Sequence, residues 1–273
     1  MALAIARGEF WYGKRVHACP VIYVTLEGEA GLQNRLKAWV KHWGLELPAN
    51  FFAIVQPLNL LEPSDVSDLI AVLPKGCVVF IDTLNRAAPG ADENSSVDMG
   101  KIIAALKQIV DGADALVIPI HHTGKDQSKG LRGHSSLYAA LDGAIEVERT
   151  ASGRSFRAAK VKDGDDGEKN GFRLDVVALG FDEDGDAVTS CVVVPEEVIF
   201  KRPEPQGKGQ RAVLGALRAI APLTFEEAIV IAGPLATKVK SRERAEGKRT
   251  LEGLLQGGYL KATGSNLQDI SLP

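Results

Sequence analysis

The chain has 273 residues, 45% hydrophobic and 25% charged, with a net charge of −3. That is ordinary globular composition, enough for one large core or a core plus a small domain. No run approaches the ~18 apolar residues of a membrane span and no signal peptide is read at the start, while the scattered Cys19, Cys77 and Cys191 argue against a disulfide framework or a thiolate zinc site and fit a reducing cytoplasm. The charge is uneven: residues 1–200 hold 20 Lys/Arg against 28 Asp/Glu, and residues 201–273 hold 12 against 7. An acidic core with a basic tail suited to nucleic acid is expected.

In chain order, Met1–Arg7 is helical by composition and Gly8 is a natural stop. Pro20–Leu26 reads as a buried strand ending on Glu27-Gly28-Glu29. An amphipathic helix follows, with Leu32, Leu36, Trp39, Val40 and Trp43 at helical spacing, and its aromatics are expected in the core. Phe51–Val55 is a short strand, and Pro63-Ser64 opens a helix over Val66, Leu69, Ile70 and Leu73. The run Cys77–Leu84, C-V-V-F-I-D-T-L, does not alternate, which suits a strand covered on both faces in a parallel sheet. A further amphipathic helix spans Ile102–Val110, and the strand Ala115–Ile120 ends on His121-His122. Thr123–Ser136 is a long polar loop, Leu137–Leu141 a short helix. Gly143–Glu148, Ser155–Val161, Phe172–Leu179 and Thr189–Val194 read as strands, with Asp163–Gly171 closing a hairpin.

Lys201–Gly209, rich in Pro, Gly and Lys, reads as a linker between a core domain at 1–200 and a small domain at 210–273. The small domain shows helices at Gln210–Ile220, after the capping box Thr224-Phe225-Glu226-Glu227, and at Ser241–Gln256, then a hairpin of Tyr259–Ala262 and Leu267–Leu272. Three helices then a hairpin is the order of a winged helix-turn-helix. Arg242, Arg244, Lys248 and Arg249 on its third helix suit DNA phosphates; a solvated basic helix in a protein-interaction module is the alternative.

Three core strands thus end in Glu27, Asp82 and His121-His122. Open α/β sheets bind ligands beyond the carboxyl ends of their strands. Glu27 there suits activating an attacking water, Asp82 suits holding Mg²⁺ on a nucleotide phosphate, and His121 suits sensing the γ-phosphate. Each has a plainer reading, as a helix-capping carboxylate or a structural histidine pair.

The stretches V-I-Y-V-T-L-E-G-E-A-G-L…R-L, V-V-F-I-D-T-L-N-R and I-H-H-T-G-K-D resemble the RecA-fold ATPases of the RepA type, hexameric replicative helicases of plasmids and phages related to the DnaB group. The resemblance covers residues 1 to about 195. It implies a RecA-like, mostly parallel α/β sheet flanked by helices, ATP and Mg²⁺ as ligands, single-stranded DNA as partner and a ring of six copies. It makes Glu27 the catalytic base, Asp82 the Walker B aspartate, and His121 or His122 the histidine after the next strand. It turns the loop carrying Lys125, Lys129 and Arg132 toward DNA. A-K-V-K-D-G resembles the segment that reaches a neighbouring subunit's nucleotide, which carries over to Lys160 and Lys162. The second position departs, lysine for arginine, and a lysine lacks the planar fork; Arg132 and Arg149 are rivals for that role.

The resembling family has G-x-x-x-x-G-K-[ST], whose backbone and lysine cradle phosphates. No such run occurs among the 273 residues. Residues 1–8 resemble the far end of the helix that follows it, so the chain is expected to start inside that helix and to bind nucleotide weakly. The expected function is a DNA-linked ATPase or helicase impaired by that loss. A non-catalytic DNA-binding or assembly subunit is the alternative, and a metal hydrolase on Asp82 and His121-His122 a third reading.

Overall fold

The computed structural model describes residues 1–122, 135–150, 153–197, 205–218, 223–256, 259–263 and 266–269. They divide into two compact units, Met1–Val198 and Ile199–Pro273.

The first unit is built on a four-stranded parallel sheet of β1 (Val21–Thr25), β2 (Phe51–Ile54), β3 (Val78–Asp82) and β4 (Leu116–Ile120), in the order β2-β1-β3-β4. Parallel neighbours need crossovers, and here these are helical: α2 (Glu29–Trp43), α3 (Pro63–Val72) and α4 (Ser96–Ala113). On one face, Ile22, Val24, Val79 and Ile81 pack with Val66 and Leu69 of α3 and Met99, Ile102 and Ile109 of α4. On the other, Val21, Val78 and Phe80 meet Ala6 of α1 (Ala2–Arg7). With cover on both sides Val78–Ile81 is wholly buried, which is why that run carries no polar alternation. Gly8 ends α1 in the left-handed conformation, where a side chain would be strained. Ser95 caps α4 by accepting from the Asp98 amide.

After α5 (Ser135–Ala140) the chain builds a separate sheet. Strands β5 (Gly143–Thr150), β6 (Gly153–Val161), β7 (Lys169–Phe181) and β8 (Ala187–Pro195) pair antiparallel in sequence order. The strands run longer than their apolar patterns suggest; Lys169–Gly171, expected in the hairpin loop, belong to β7. The helix α2 lies against β7 and β8, where Lys41 donates to the Ala178 carbonyl at 2.8 Å. This changes the expectation for α2. Its fully buried residues are Leu32 and Ala38, while Trp43 is 44% exposed. The last residues of the helix, Lys41, His42 and Trp43, are exposed, so helical spacing alone overstates its apolar face. Phe156 of β6 is covered by Trp11, stacked at 4.6 Å, and by Tyr12.

The second unit has α6 (Lys208–Arg218), β9 (Leu223–Thr224), α7 (Phe225–Ala236), a 3-10 turn at Lys240–Arg242, α8 (Glu243–Gln256), β10 (Leu260–Thr263) and β11 (Asn266–Asp269). Thr224 and Glu227 form the expected capping box at α7. The two-residue β9 adds a third strand to the hairpin, in the order β10-β11-β9. Val213, Leu214, Ile229, Leu251 and Leu254 fill this unit's own core. Helices α7 and α8 touch backbone to backbone: a Cβ on Gly247 would lie 2.8 Å from the Gly233 nitrogen.

Candidate active site

The register aligns Thr25 with Asp82 and Asp82 with Ile120. Strands β1, β3 and β4 are neighbours, so Glu27, Asp82 and His121-His122 all leave the sheet at one carboxyl edge. Backbone bonds continue past the strands and hold that edge together. The Leu26 amide donates to the Asp82 carbonyl at 2.7 Å, and the Leu84 amide to the Ile120 carbonyl at 2.8 Å.

The carboxylates are held by groups that the sequence reading did not single out. The Tyr23 hydroxyl donates to Asp82 Oδ2 at 2.6 Å. Tyr23 and Asp82 share the face of the sheet that α1 covers, because side chains alternate along each strand. Burial, followed by the bond to Asp82, raises the Tyr23 pKa, so the phenol keeps its proton and remains a donor. Glu27 Oε1 accepts from Thr83 Oγ1 at 3.0 Å and from Arg86 Nε at 3.1 Å. The Thr83 hydroxyl, then Arg86, with His122 adding a small charge effect, hold the Glu27 carboxyl below the usual carboxylate range. Thr83 is buried, and the Asp82–Thr83 peptide bond is cis. A strand-end Thr beside Asp82 and an Arg four residues on were visible in the sequence; what they bond to was not.

Asp82 suits Mg²⁺ in one specific way. Mg²⁺ on nucleotides needs only one or two protein carboxylates, the phosphates supplying other ligands, and Asp82 has one oxygen fixed by Tyr23 at the open edge. Among the described residues no group of three or more His, Cys, Asp or Glu is placed to hold a metal by itself. The fit is therefore partial: a carboxylate for a phosphate-borne metal, with no G-x-x-x-x-G-K-[ST] run among the 273 residues to hold the phosphates.

The other expected site residues lie elsewhere. Lys160 Nζ donates to the Tyr138 and Ala139 carbonyls at 2.8 and 3.1 Å, satisfying orphan acceptors at the end of α5. Lys162 pairs with Asp142 at 3.0 Å. Both therefore have partners within the chain, and these are not the acidic residues of the following loop. Arg149 is exposed on β5, opposite Arg154. Lys125, Lys129 and Arg132 fall outside the described residues. Arg242, Arg244, Lys248 and Arg249 are all exposed. Arg242 precedes α8 in the 3-10 turn, and Arg244 pairs with Glu226 at 2.6 Å. Helix α8 itself carries three acidic and three basic residues, so it is neutral rather than basic.

Residues 1–128 match the family model described as AAA domain. A search of the curated proteins found no match. Among solved structures the chain is similar to the RadB recombinase, at 15% identity and a TM-score of 0.43, over 57% of this chain and 75% of that one. No described helix is long and apolar enough to cross a membrane.

Proposed function

We propose that the first unit is the core of a DNA-linked ATPase, of the replicative helicase type that its motifs resemble. The observation that carries this is the meeting of Glu27, Asp82 and His121-His122 at the ends of three adjacent parallel strands. The AAA-domain match over residues 1–128 covers all four. Bound ATP with Mg²⁺ would supply the phosphoryl group and the positive charge that neutralises it. Glu27, ionised at neutral pH by its bonds to Thr83 and Arg86, takes a proton from water. Thr83 and Arg86 fix the oxygen they share, which leaves Oε2 as the acceptor. Tyr23 orients Asp82.

The wider reading has three parts. Residues 1–200 are the catalytic core, 201–209 a linker and 210–273 a winged helix. The three helices and three-stranded antiparallel sheet of the second unit support the last. Its Arg242, Arg244, Lys248 and Arg249, with Lys125, Lys129 and Arg132 of the first unit, contact DNA phosphates. Copies join head to tail in a ring, with Lys160, Lys162 or Arg132 reaching a neighbour's nucleotide; the first two must leave their present partners to do so.

The experiment is phosphate release with Mg²⁺-ATP and single-stranded DNA, on the chain as it stands and on a fusion that adds a strand and a G-x-x-x-x-G-K-[ST] loop ahead of it. Negligible turnover by the chain alone is expected, because each charge-assisted hydrogen bond lost with the cradle is worth about 1.5–3 kcal/mol. Turnover by the fusion, abolished by Glu27→Gln and Asp82→Asn, is the supporting result. A fusion that binds ATP and never hydrolyses it leaves the non-catalytic DNA-binding or assembly subunit as the better reading.

A further inference from the structure

Strands β7 and β8 form a long antiparallel ribbon paired from Phe172–Pro195 to Phe181–Ala187, with a bulge at Ala178–Gly180. Exposure alternates along it with a period of two. On β8 every second residue from Ala187 to Pro195 is exposed, while Val188, Ser190, Val192 and Val194 between them are covered. The covered side is the one against α2. On β7 the register puts Leu174, Val176, Ala178 and, past the bulge, Phe181 on the exposed side.

That exposed side is the wrong way round for a solvent face. An antiparallel sheet with one wet face normally shows polar residues there. Here none of the ten outward positions, the half-covered Phe172 opposite Pro195 included, is charged; Val176 is 70% exposed, Phe181 77% and Val193 52%, and the first charges on that face are Arg154 and Arg149 on β6 and β5. The ribbon's ion pair, Arg173 with Asp175, sits on the covered side. Contiguous exposed apolar surface of this kind marks an interaction site.

We infer that this ribbon face is a two-fold interface with a second copy of the same chain. Across β7 and β8 a charged partner would find nothing to pair with, Arg154 and Arg149 lying beyond the ribbon on β6 and β5, and burying its own charges there would be costly. An equally uncharged face is complementary, and the chain itself carries one. A two-fold axis brings the same patch of two copies together, and such isologous pairs are the commonest oligomers. Two such faces remove roughly 1,000–1,500 Å² from water, which clears the ~1,000 Å² that a specific interface needs. The contact is face to face, so it differs from the head-to-tail contacts of a ring and stands whether or not the chain hydrolyses ATP.

Cys191 provides an internal reporter. It lies mid-ribbon opposite Val176 on the outward face, whereas Cys77 is buried and Cys19 half-buried. The test measures mass by light scattering across a dilution series, and the rate at which a maleimide modifies Cys191, on the full chain, Val176→Asp and Val193→Lys. The expected wild-type mass is twice 29.2 kDa at high concentration. Both variants should be monomeric, with unchanged circular dichroism, and their Cys191 should react faster by tenfold or more. A wild type that stays monomeric overturns the inference. So does a dimer that both variants retain, since it must form through another surface.

Discussion

Val79 in the parallel sheet and Val176 in the antiparallel sheet are the same side chain on strands of one unit, yet the first is fully buried and the second 70% exposed. The two sheets also place their polar groups differently. The parallel sheet has apolar layers on both faces, so its carboxylates and histidines appear only where strands end. The antiparallel sheet keeps its ion pairs along one face, Arg157 with Glu146, Lys169 with Glu148 and Arg173 with Asp175, and leaves the β7–β8 part of the other face uncharged, with Arg149 and Arg154 on that face only at β5 and β6. Chemistry is therefore available at an edge in the first sheet, and recognition across a face in the second. Strand propensity cannot tell these apart, because it reflects a pleated surface rather than what covers it.

The largest test of that contrast is in the core. Ile81 is fully buried between the sheet and its helices. Ile81→Ala should cost about 2–5 kcal/mol, the range for emptying a well-packed aliphatic site. Val176→Ala removes surface side chain and should change the stability of the monomer by no more than about 0.5 kcal/mol. Urea midpoints at a concentration low enough for the wild type to be monomeric measure both. Equal costs would mean that the ribbon face is covered within the chain and that the two sheets do not differ in this way.

Much of the parallel sheet was legible because its strands are unbroken apolar runs, and a one-residue uncertainty at each end still leaves Glu27, Asp82 and His121 at strand ends. What escaped was everything set by three-dimensional approach. Tyr23 lies 59 residues from Asp82, and Thr83 lies 56 from Glu27. Lys160 meets the carbonyls at the end of α5 and Lys162 meets Asp142, contacts that the sequence around them does not announce. The exposure of Trp43 and the separation of β5–β8 into their own sheet depend on packing that periodicity does not encode. The strand β9, two residues long, is below what any pattern can reveal.

A smaller effect belongs to the charged face of the antiparallel sheet. Glu148 accepts from Lys169 and from the buried Ser155 hydroxyl, and Lys169 is the main cause of its lowered pKa. A carboxylate with a depressed folded pKa stabilises above its unfolded value of about 4.3 and loses that contribution as pH falls through the folded value. The pair is about one-third exposed, so solvent screening limits it to about 1 kcal/mol or less. Glu148→Gln should thus be slightly less stable than wild type at pH 7, and the difference should shrink in acid. Trp11, stacked on Phe156 of β6, supplies a fluorescence signal for the urea titrations. A constant difference across pH would assign the loss to packing rather than to charge.

The smallest expected effect is at the strand-end edge, where Thr83→Val replaces a buried hydroxyl by a methyl of similar size. Arg86 remains bonded to Glu27 and the Thr83 carbonyl still accepts from the Ala87 amide, so the fold has no reason to change. Glu27 loses the leading cause of its low pKa. Its folded value lies below the ordinary one, so the charged form is favoured above it and protonation sets in as pH falls through it. Removing the Thr83 donor must therefore move the Glu27 titration upward, toward the ordinary carboxylate range, without carrying it past. Adding Arg86→Ala should move it further in the same direction, because the guanidinium is the second cause. Carbon-13 carboxylate NMR on the full chain reads both steps without requiring bound nucleotide. If Thr83→Val leaves the titration where it was, the oxygen shared by Thr83 and Arg86 is not what poises Glu27, and its assignment as a pre-ionised base loses its structural support.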